Sequence, residues 1–322
     1  MTRRADLPRS RADFHAAENV LLVKRKPALN IPPAAGQPPS VPANPQEGDE
    51  VLLAVWDDGS VTALHGHVDL GTGIRTALTQ VVAEELDIDL SCINMVLGNT
   101  ASVPNQGATI ASASLQIHAA PLRAAAAQAR AWLFARASAM NVSPSAYAEL
   151  LANQHIELLV DLTTPLKPSA EHRIIGTSTP RLDIPAKVTG ALTFVHDMRV
   201  PGMLHGRVVR PPYAGADHGD FIGNTLQSVD ESSIAHVPGI RAVVVIRDFV
   251  GIVAEREEHA EQALRELRVT WKPWPGMPDQ SDVAEAIRKN PSTQRRLIDE
   301  GHVDAALAAA DQKMPRNYVW PY

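Results

Sequence analysis

His-Gly-His-Val-Asp-Leu-Gly-Thr-Gly-Ile-Arg-Thr-Ala-Leu-Thr-Gln-Val-Val-Ala-Glu-Glu-Leu, residues 65–86, sets the architecture of the first half of the chain. From Ile74 the apolar positions step by four through Leu78, Val82 and Leu86, a spacing that stacks side chains on one helix face. A helix is therefore predicted to start just after Gly71-Thr72-Gly73. Upstream, the apolar runs 51–56 and 60–67 flank Asp57-Asp58-Gly59, the signature of a hairpin. Downstream, residues 93–97 read as a short strand, and the alanine-rich stretch 111–139 has high helix propensity. Pro121 is expected to kink or split that stretch. One pattern thus occurs twice: strand, loop of small or hydroxylated residues, helix.

The two loops are the candidate binding elements. Gly71-Thr72-Gly73 lets backbone approach a ligand closely, and the helix start behind it offers unpaired N–H groups to an anion such as phosphate; the same glycines also suit a plain tight turn. Thr109-Ile110-Ala111-Ser112-Ala113-Ser114 gathers three hydroxyls at the next predicted helix start, where they could hold phosphate or ribose oxygens or simply cap a helix. Consecutive strand-loop-helix units bring their loops to one end of a sheet, so the pair would form one split anion site. His65 and His67 could share a strand face and a metal, but no third or fourth ligand accompanies them, and they read as polar residues at the loop mouth. Glu84-Glu85 and the run Glu255-Arg256-Glu257-Glu258-His259 read as solvated helix faces. Cys92 reads as a buried small residue.

Prolines crowd residues 27–47, which are expected to be an extended arm, and a second proline-bearing linker precedes a half in which short strands dominate. Strands are expected at 204–209, 242–246 and 267–271, with a helix at 257–267, so the fold class is α+β. Helices are expected over 282–289, 292–300 and 303–310. The chain has 322 residues, 45% of them apolar and 20% charged, which suits about two globular domains. Its formal net charge of -6 offers no general positive field to a nucleic-acid backbone. A single cysteine cannot hold an iron–sulfur cluster, so any such cluster belongs on another subunit. Arg3 and Arg4 form a twin-arginine pair, but residues 5–19 lack the apolar core of a signal, and no apolar run approaches the roughly 20 residues of a membrane span. The expected location is cytoplasmic, with any attachment to the inner membrane made through partners.

The 65–86 stretch resembles the GxxExGQGxxTxxxQxxAExL segment that binds molybdopterin in molybdenum hydroxylases of the xanthine dehydrogenase/aldehyde oxidase family. Residues 103–114 are similar to that domain's second cofactor segment, which ends in Ala-Ser-x-Ser. The resemblance implies that Gly71, Thr72, Gly73, Thr109, Ser112, Ala113 and Ser114 hold the phosphates and dinucleotide part of the cofactor, with no catalytic or metal-ligating residue assigned. Two departures stand out: Thr72 replaces the family's central Gln, and Asp69 replaces the usual Glu. Residues 181–190 and 196–207 resemble the opening of the family's α/β hammerhead domain, and because the glycine segment precedes that domain, the chain resembles the isoquinoline oxidoreductase and nicotinate dehydrogenase branch.

On that basis the expected organisation is an extended arm over 1–50, a partial molybdopterin-binding domain over 51–150, a linker over 151–180, a hammerhead domain over 181–276 and the helical start of a large cofactor domain over 277–322. The resemblance implies hydroxylation of an N-heteroaromatic such as nicotinate or isoquinoline, or of an aldehyde, with water as oxygen source. It implies molybdenum on molybdopterin in its cytosine dinucleotide form, iron–sulfur clusters on a small partner subunit, and a cytochrome as electron acceptor. The family's glutamate base lies beyond the final residue, so the chain is expected either to work with a polypeptide that completes the large subunit, or to be a truncated, non-catalytic binding module.

Overall fold

In the computed structural model, described at residues 6–27, 48–212, 223–273, 281–289, 291–293, 295–298, 300–318 and 320, the chain divides into two units, Met1–Val195 and His196–Tyr322. The proline-rich stretch 28–47 lies outside the described residues. Around it, the expected arm carries regular structure: helix α1 (Arg11–His15) and strand β1 (Val20–Arg25). The first unit continues through β2 (Glu50–Trp56), β3 (Val61–His65), α2 (Ile74–Leu86), β4 (Ile93–Leu97), α3 (Ala113–Gln116), α4 (Ala119–Met140), α5 (Tyr147–Leu151), β5 (His155–Leu159) and α6 (Ile184–Val188).

The five strands of this unit order as β4-β3-β2-β1-β5. β2 pairs antiparallel with both neighbours, while β3 with β4 and β1 with β5 pair in parallel, so β2 alone runs against the rest. The anticipated hairpin is therefore the β2–β3 pair, and β1 extends it on the far side. β5 falls within the stretch expected to be a linker; its pairing to β1 makes it an edge strand.

Alternation divides the sheet's apolar residues between two faces. Leu21, Val23, Leu53, Val55, Ala63 and Met95 face α2 and α4, whereas Val20, Leu22, Ala54, Trp56 and Leu64 pack with Phe14 of α1. The register shifts between Val23 and Lys24, whose partners are Leu53 and Val51, and leaves Leu52 as the extra residue of a bulge. The bulge explains why Leu52 and Leu53, adjacent in sequence, both enter the α2/α4 core.

α2 buries the stripe Ile74, Leu78, Val82 and Leu86 in that core. Each fully buried Leu or Val contributes about 1.5–3 kcal/mol over an exposed one. In α4 the small Ala125, Ala126 and Ala129 let backbone approach the sheet, with Leu122 and Leu133 filling the ends. The chain breaks between α3 and α4 at Ile117-His118, not at Pro121. Pro121 sits in the first turn of α4, where the amide it lacks has no helical partner to lose.

The second unit holds β6 (His205–Val209), β7 (Leu226–Asp230), β8 (Ile240–Ile246), β9 (Phe249–Ala254), α7 (Glu257–Glu266), β10 (Arg268–Trp271), α8 (Val283–Lys289) and α9 (Val303–Ala309). β6-β9-β8 form an antiparallel sheet and β7 pairs antiparallel with β10. Val250 and Ile252 of β9 pack with Ala263 and Leu267 of the α7 segment. Glu255 through Glu258 are exposed, as a solvated face should be. The helix expected over 292–300 does not form among the described residues there. No helix among the described residues is long and apolar enough to cross a membrane.

Candidate functional site

Because β3 and β4 are parallel, the loops that follow them, 66–73 and 98–112, leave the same end of the sheet. They also bond to each other. The Val68 N–H donates to the Thr109 hydroxyl at 3.1 Å, the Gly66 N–H donates to Gln106 Oε1 at 2.7 Å, and His67 Nδ1 and Ser114 Oγ lie 2.7 Å apart. A Cβ on Gly66 would come within 2.2 Å of the Pro104 carbonyl oxygen, so only glycine permits this approach. Gly98 adopts a left-handed φ of 63°, and a Cβ there would meet Val68 Cγ1 at 2.4 Å.

The seven residues singled out in the sequence fall into distinct environments. Gly71 and Thr72 are exposed, Gly73 is buried, Thr109 and Ser114 are half-buried, Ser112 is exposed and Ala113 is buried. A Cβ on Gly71 or Gly107 would meet nothing within 4 Å, so both loops present open backbone. Ala111 and Ser112 both take left-handed conformations, with φ of 53° and 55°. Such conformations cost roughly 1–2 kcal/mol for each non-glycine residue, which makes this the strained point of the second loop.

Two corrections bear on the anion reading. The second loop leads into α3, a single turn of four residues, and not into the long alanine helix. In the first loop, the backbone N–H groups of Gly71, Gly73 and Arg75 donate to the Asp69 carboxylate, at 2.9, 3.2 and 3.2 Å. Burial raises the Asp69 carboxyl, but these amides outweigh it and hold the group below its ordinary range. The amides nearest the start of α2 thus already serve an internal anion, which leaves Thr72 as the exposed polar residue at the loop tip.

Residues overlooked in the sequence brace the site. Arg181 donates from Nη1 to the Gly71 carbonyl at 2.7 Å and grips Asp183 through Nε at 3.0 Å and Nη2 at 2.7 Å. Glu50, fully withdrawn from solvent, accepts from the Asn105 N–H at 2.5 Å and from Arg25 Nε at 2.8 Å, which ties the second loop to β1 and β2. The Asp-x-Gly-x-Gly spacing of residues 69–73 could have disclosed the role of Asp69, since Asp side chains often bond amides two residues on. Nothing local signals Arg181.

His65 and His67 are buried beneath the loops and do not stand at their mouth. With His118 they form a cluster whose ring centroids lie 4.7–6.2 Å apart. Burial and the neighbouring His67 push His65 down to about 4, so its ring is neutral near pH 7. Among the described residues no three His, Cys, Asp or Glu side chains are placed to hold a metal ion. Glu84 and Glu85, expected on a solvated face, are fully buried. Glu84 accepts from Lys167 Nζ at 2.8 Å and from the backbone N–H groups of Arg173, Ile174 and Ile175 at 2.6–2.9 Å; Glu85 takes Arg123 Nε at 2.6 Å. Cys92 is buried, as expected.

The family described as "Molybdopterin cofactor-binding domain" matches residues 31–161. Over 291 residues the chain is 56% identical to a nicotinate dehydrogenase subunit from Pseudomonas putida, an alignment that covers 84% of this chain and 24% of that protein. It is 29% identical over 304 residues to the beta subunit of isoquinoline 1-oxidoreductase from Brevundimonas diminuta, covering 76% of this chain and 38% of the relative. It is 36% identical over 106 residues to xanthine dehydrogenase of Oryza sativa subsp. japonica, covering 33% of this chain and 8% of the relative. The chain therefore spans about a quarter of the length of the first relative and less than two fifths of the second.

Proposed function

Since the chain belongs to the xanthine dehydrogenase family and matches part of its molybdopterin-binding large subunit, we propose that its two bonded loops hold the anionic portion of the molybdenum cofactor. The observation that carries this reading is the joining of the loops: Val68 bonds Thr109 at the same sheet end from which Gly71 and Gly107 expose open backbone. The residues present suit such a group. Thr72 and Ser112 are exposed hydroxyl residues on the first and second loop, and unobstructed glycine backbone lies beside them. Gly73, Thr109, Ala113 and Ser114 shape the loops from beneath. When bound, the cofactor supplies the hydroxylation chemistry; this chain supplies the grip and its orientation.

The proposed reaction of the whole enzyme is hydroxylation of an N-heteroaromatic, nicotinate before isoquinoline, with water as the oxygen source. The stronger similarity to a nicotinate dehydrogenase subunit supports that order. The cofactor is proposed in its cytosine dinucleotide form, with iron–sulfur clusters on a small partner subunit, a cytochrome as electron acceptor and a cytoplasmic location. Residues 181–276 are proposed as a hammerhead domain. Mass spectrometry and metal analysis of the complex purified with its partner subunits test the reading: molybdenum and a pterin dinucleotide should copurify, and nicotinate should be hydroxylated with an artificial acceptor. A complex free of both pterin and molybdenum would refute it.

A further inference from the structure

We infer that Arg181 is a positioning residue of the cofactor loop, fixing the Gly71–Thr72 peptide so that its N–H side faces away from the clamp. The inference rests on the proposed cofactor site and adds to it the element that orients it.

Among the described residues every peptide bond is trans, and in a planar trans peptide the carbonyl and the following N–H point in opposite directions. Arg181 holds the Gly71 carbonyl at 2.7 Å. The Thr72 N–H is therefore turned away from Arg181. On the inner side Asp69 draws in the amides of Gly71, Gly73 and Arg75. Arg181 and Asp69, opposite in charge, thus set the orientation of successive peptides, and the loop offers a ligand chiefly what Thr72 carries.

The clamp is itself anchored. Both oxygens of Asp183, a carboxylate only 9% exposed, are engaged by the Arg181 fork, and Lys187 adds a second cation. Arg181, then Lys187, hold the Asp183 carboxyl far below the usual range. Beside it the Leu182 N–H donates to the Thr76 hydroxyl at 2.9 Å, which docks the clamp's backbone on the first turn of α2. The Arg181 stem passes over Gly73, where a Cβ would lie 3.4 Å from its Cδ and Nε. Three directed bonds from one planar group use the geometry of guanidinium, which a lysine ammonium does not reproduce.

The test uses the complex purified with its partner subunits, carrying wild-type chain, Arg181→Ala, Arg181→Lys or Asp183→Asn. Molybdenum and pterin per folded chain, and amide exchange over residues 69–76, are measured with and without added methylguanidinium. We expect Arg181→Ala to lower occupancy about tenfold, the scale seen when a group supporting a binding shell is removed. Exchange over 69–76 should rise, Arg181→Lys should behave like the alanine variant, and methylguanidinium should restore part of the occupancy to Arg181→Ala alone. If Arg181→Ala does not fold, Asp183→Asn decides, and is expected to lose occupancy in the same direction. Folded variants with wild-type occupancy and exchange overturn the inference. A wild-type complex with no pterin refutes the proposed function instead, and in that case the exchange measurement still decides whether Arg181 holds the loop.

Discussion

Lys167 places its ammonium 2.8 Å from the Glu84 carboxylate in a setting where the two side chains are 7% and 0% exposed. The pair joins the last turn of α2 to the segment 167–175, from which three backbone N–H groups converge on the same carboxylate. α2 is also the helix that the glycine loop leads into, so this buried network anchors the end of α2 opposite the proposed site.

Removing one member of such a pair strands a charge away from water, at a cost of about 3–5 kcal/mol. Lys167→Met should lower the urea-unfolding free energy by that amount. Burial raises the Glu84 carboxyl, but Lys167 and the three amides outweigh it and hold it at about 2 against an ordinary 4.5. The unfolded chain thus binds the extra proton first, so this stabilisation, on the order of 3 kcal/mol, is complete above pH 4.5 and fades as pH falls toward 2. The stability gap between wild type and Glu84→Gln should narrow over that window; a gap independent of pH would count against the network.

His65 makes a second, separate contribution to acid sensitivity. Its ring stays neutral in the folded chain down to about 4, whereas an exposed imidazole takes up a proton near 6.5. The folded state is therefore favoured above pH 6.5 and loses that advantage as pH falls from 6.5 to 4. Asn at this position keeps an acceptor for the His67 N–H, which now bonds His65 Nδ1 at 3.2 Å. His65→Asn should flatten the stability profile between those values in calorimetry at stepped pH.

Gly66→Ala tests whether the two loops need their close approach. Its new methyl would lie 2.2 Å from the Pro104 carbonyl oxygen, a clash that only separation of the loops relieves. We expect a loss of about 1–3 kcal/mol, faster amide exchange at Val68, and reduced pterin content in the purified complex. Gly107→Ala is the contrast, because no atom crowds that position and only its left-handed φ of 75° resists the change.

Relief of strain should act in the opposite direction. Ala111, at φ 53°, occupies a region that glycine enters freely. Ala111→Gly removes a conformational cost of roughly 1–2 kcal/mol but loosens the unfolded chain, for a net gain of under about 1 kcal/mol. A rise in the melting temperature of the purified chain checks this; a fall would mean that the left-handed pair carries no strain.

Local pattern made the β2–β3 hairpin, α2 and β4 legible, because each is decided by alternation, an Asp-Gly turn or a step of four. β1 escaped notice because Val20 through Val23 form one unbroken apolar run without turn signals, buried on both faces of the sheet. Pro121 misled because a proline within the first helical turn breaks nothing. Glu84 and Glu85 looked solvated because their partners Lys167 and Arg123 lie 83 and 38 residues away. The site divides in the same way: its loops were readable from glycine and hydroxyl spacing, while Asp69's capture of the amides and Arg181's hold on Gly71 depend on folded geometry.

That hold links two points separated by 110 residues of chain. At about 5–20 residues per second, a ribosome releases Arg181 roughly 5–20 s after Gly71. β3, α2 and β4 are neighbours in sequence and emerge together, so the nascent loop spends that interval without its Arg181 clamp, held from within by Asp69 and, once residues 106–114 have emerged, by the second loop. The outer fastening closes later, and the timetable of translation thereby separates the making of the loop from the setting of its peptide.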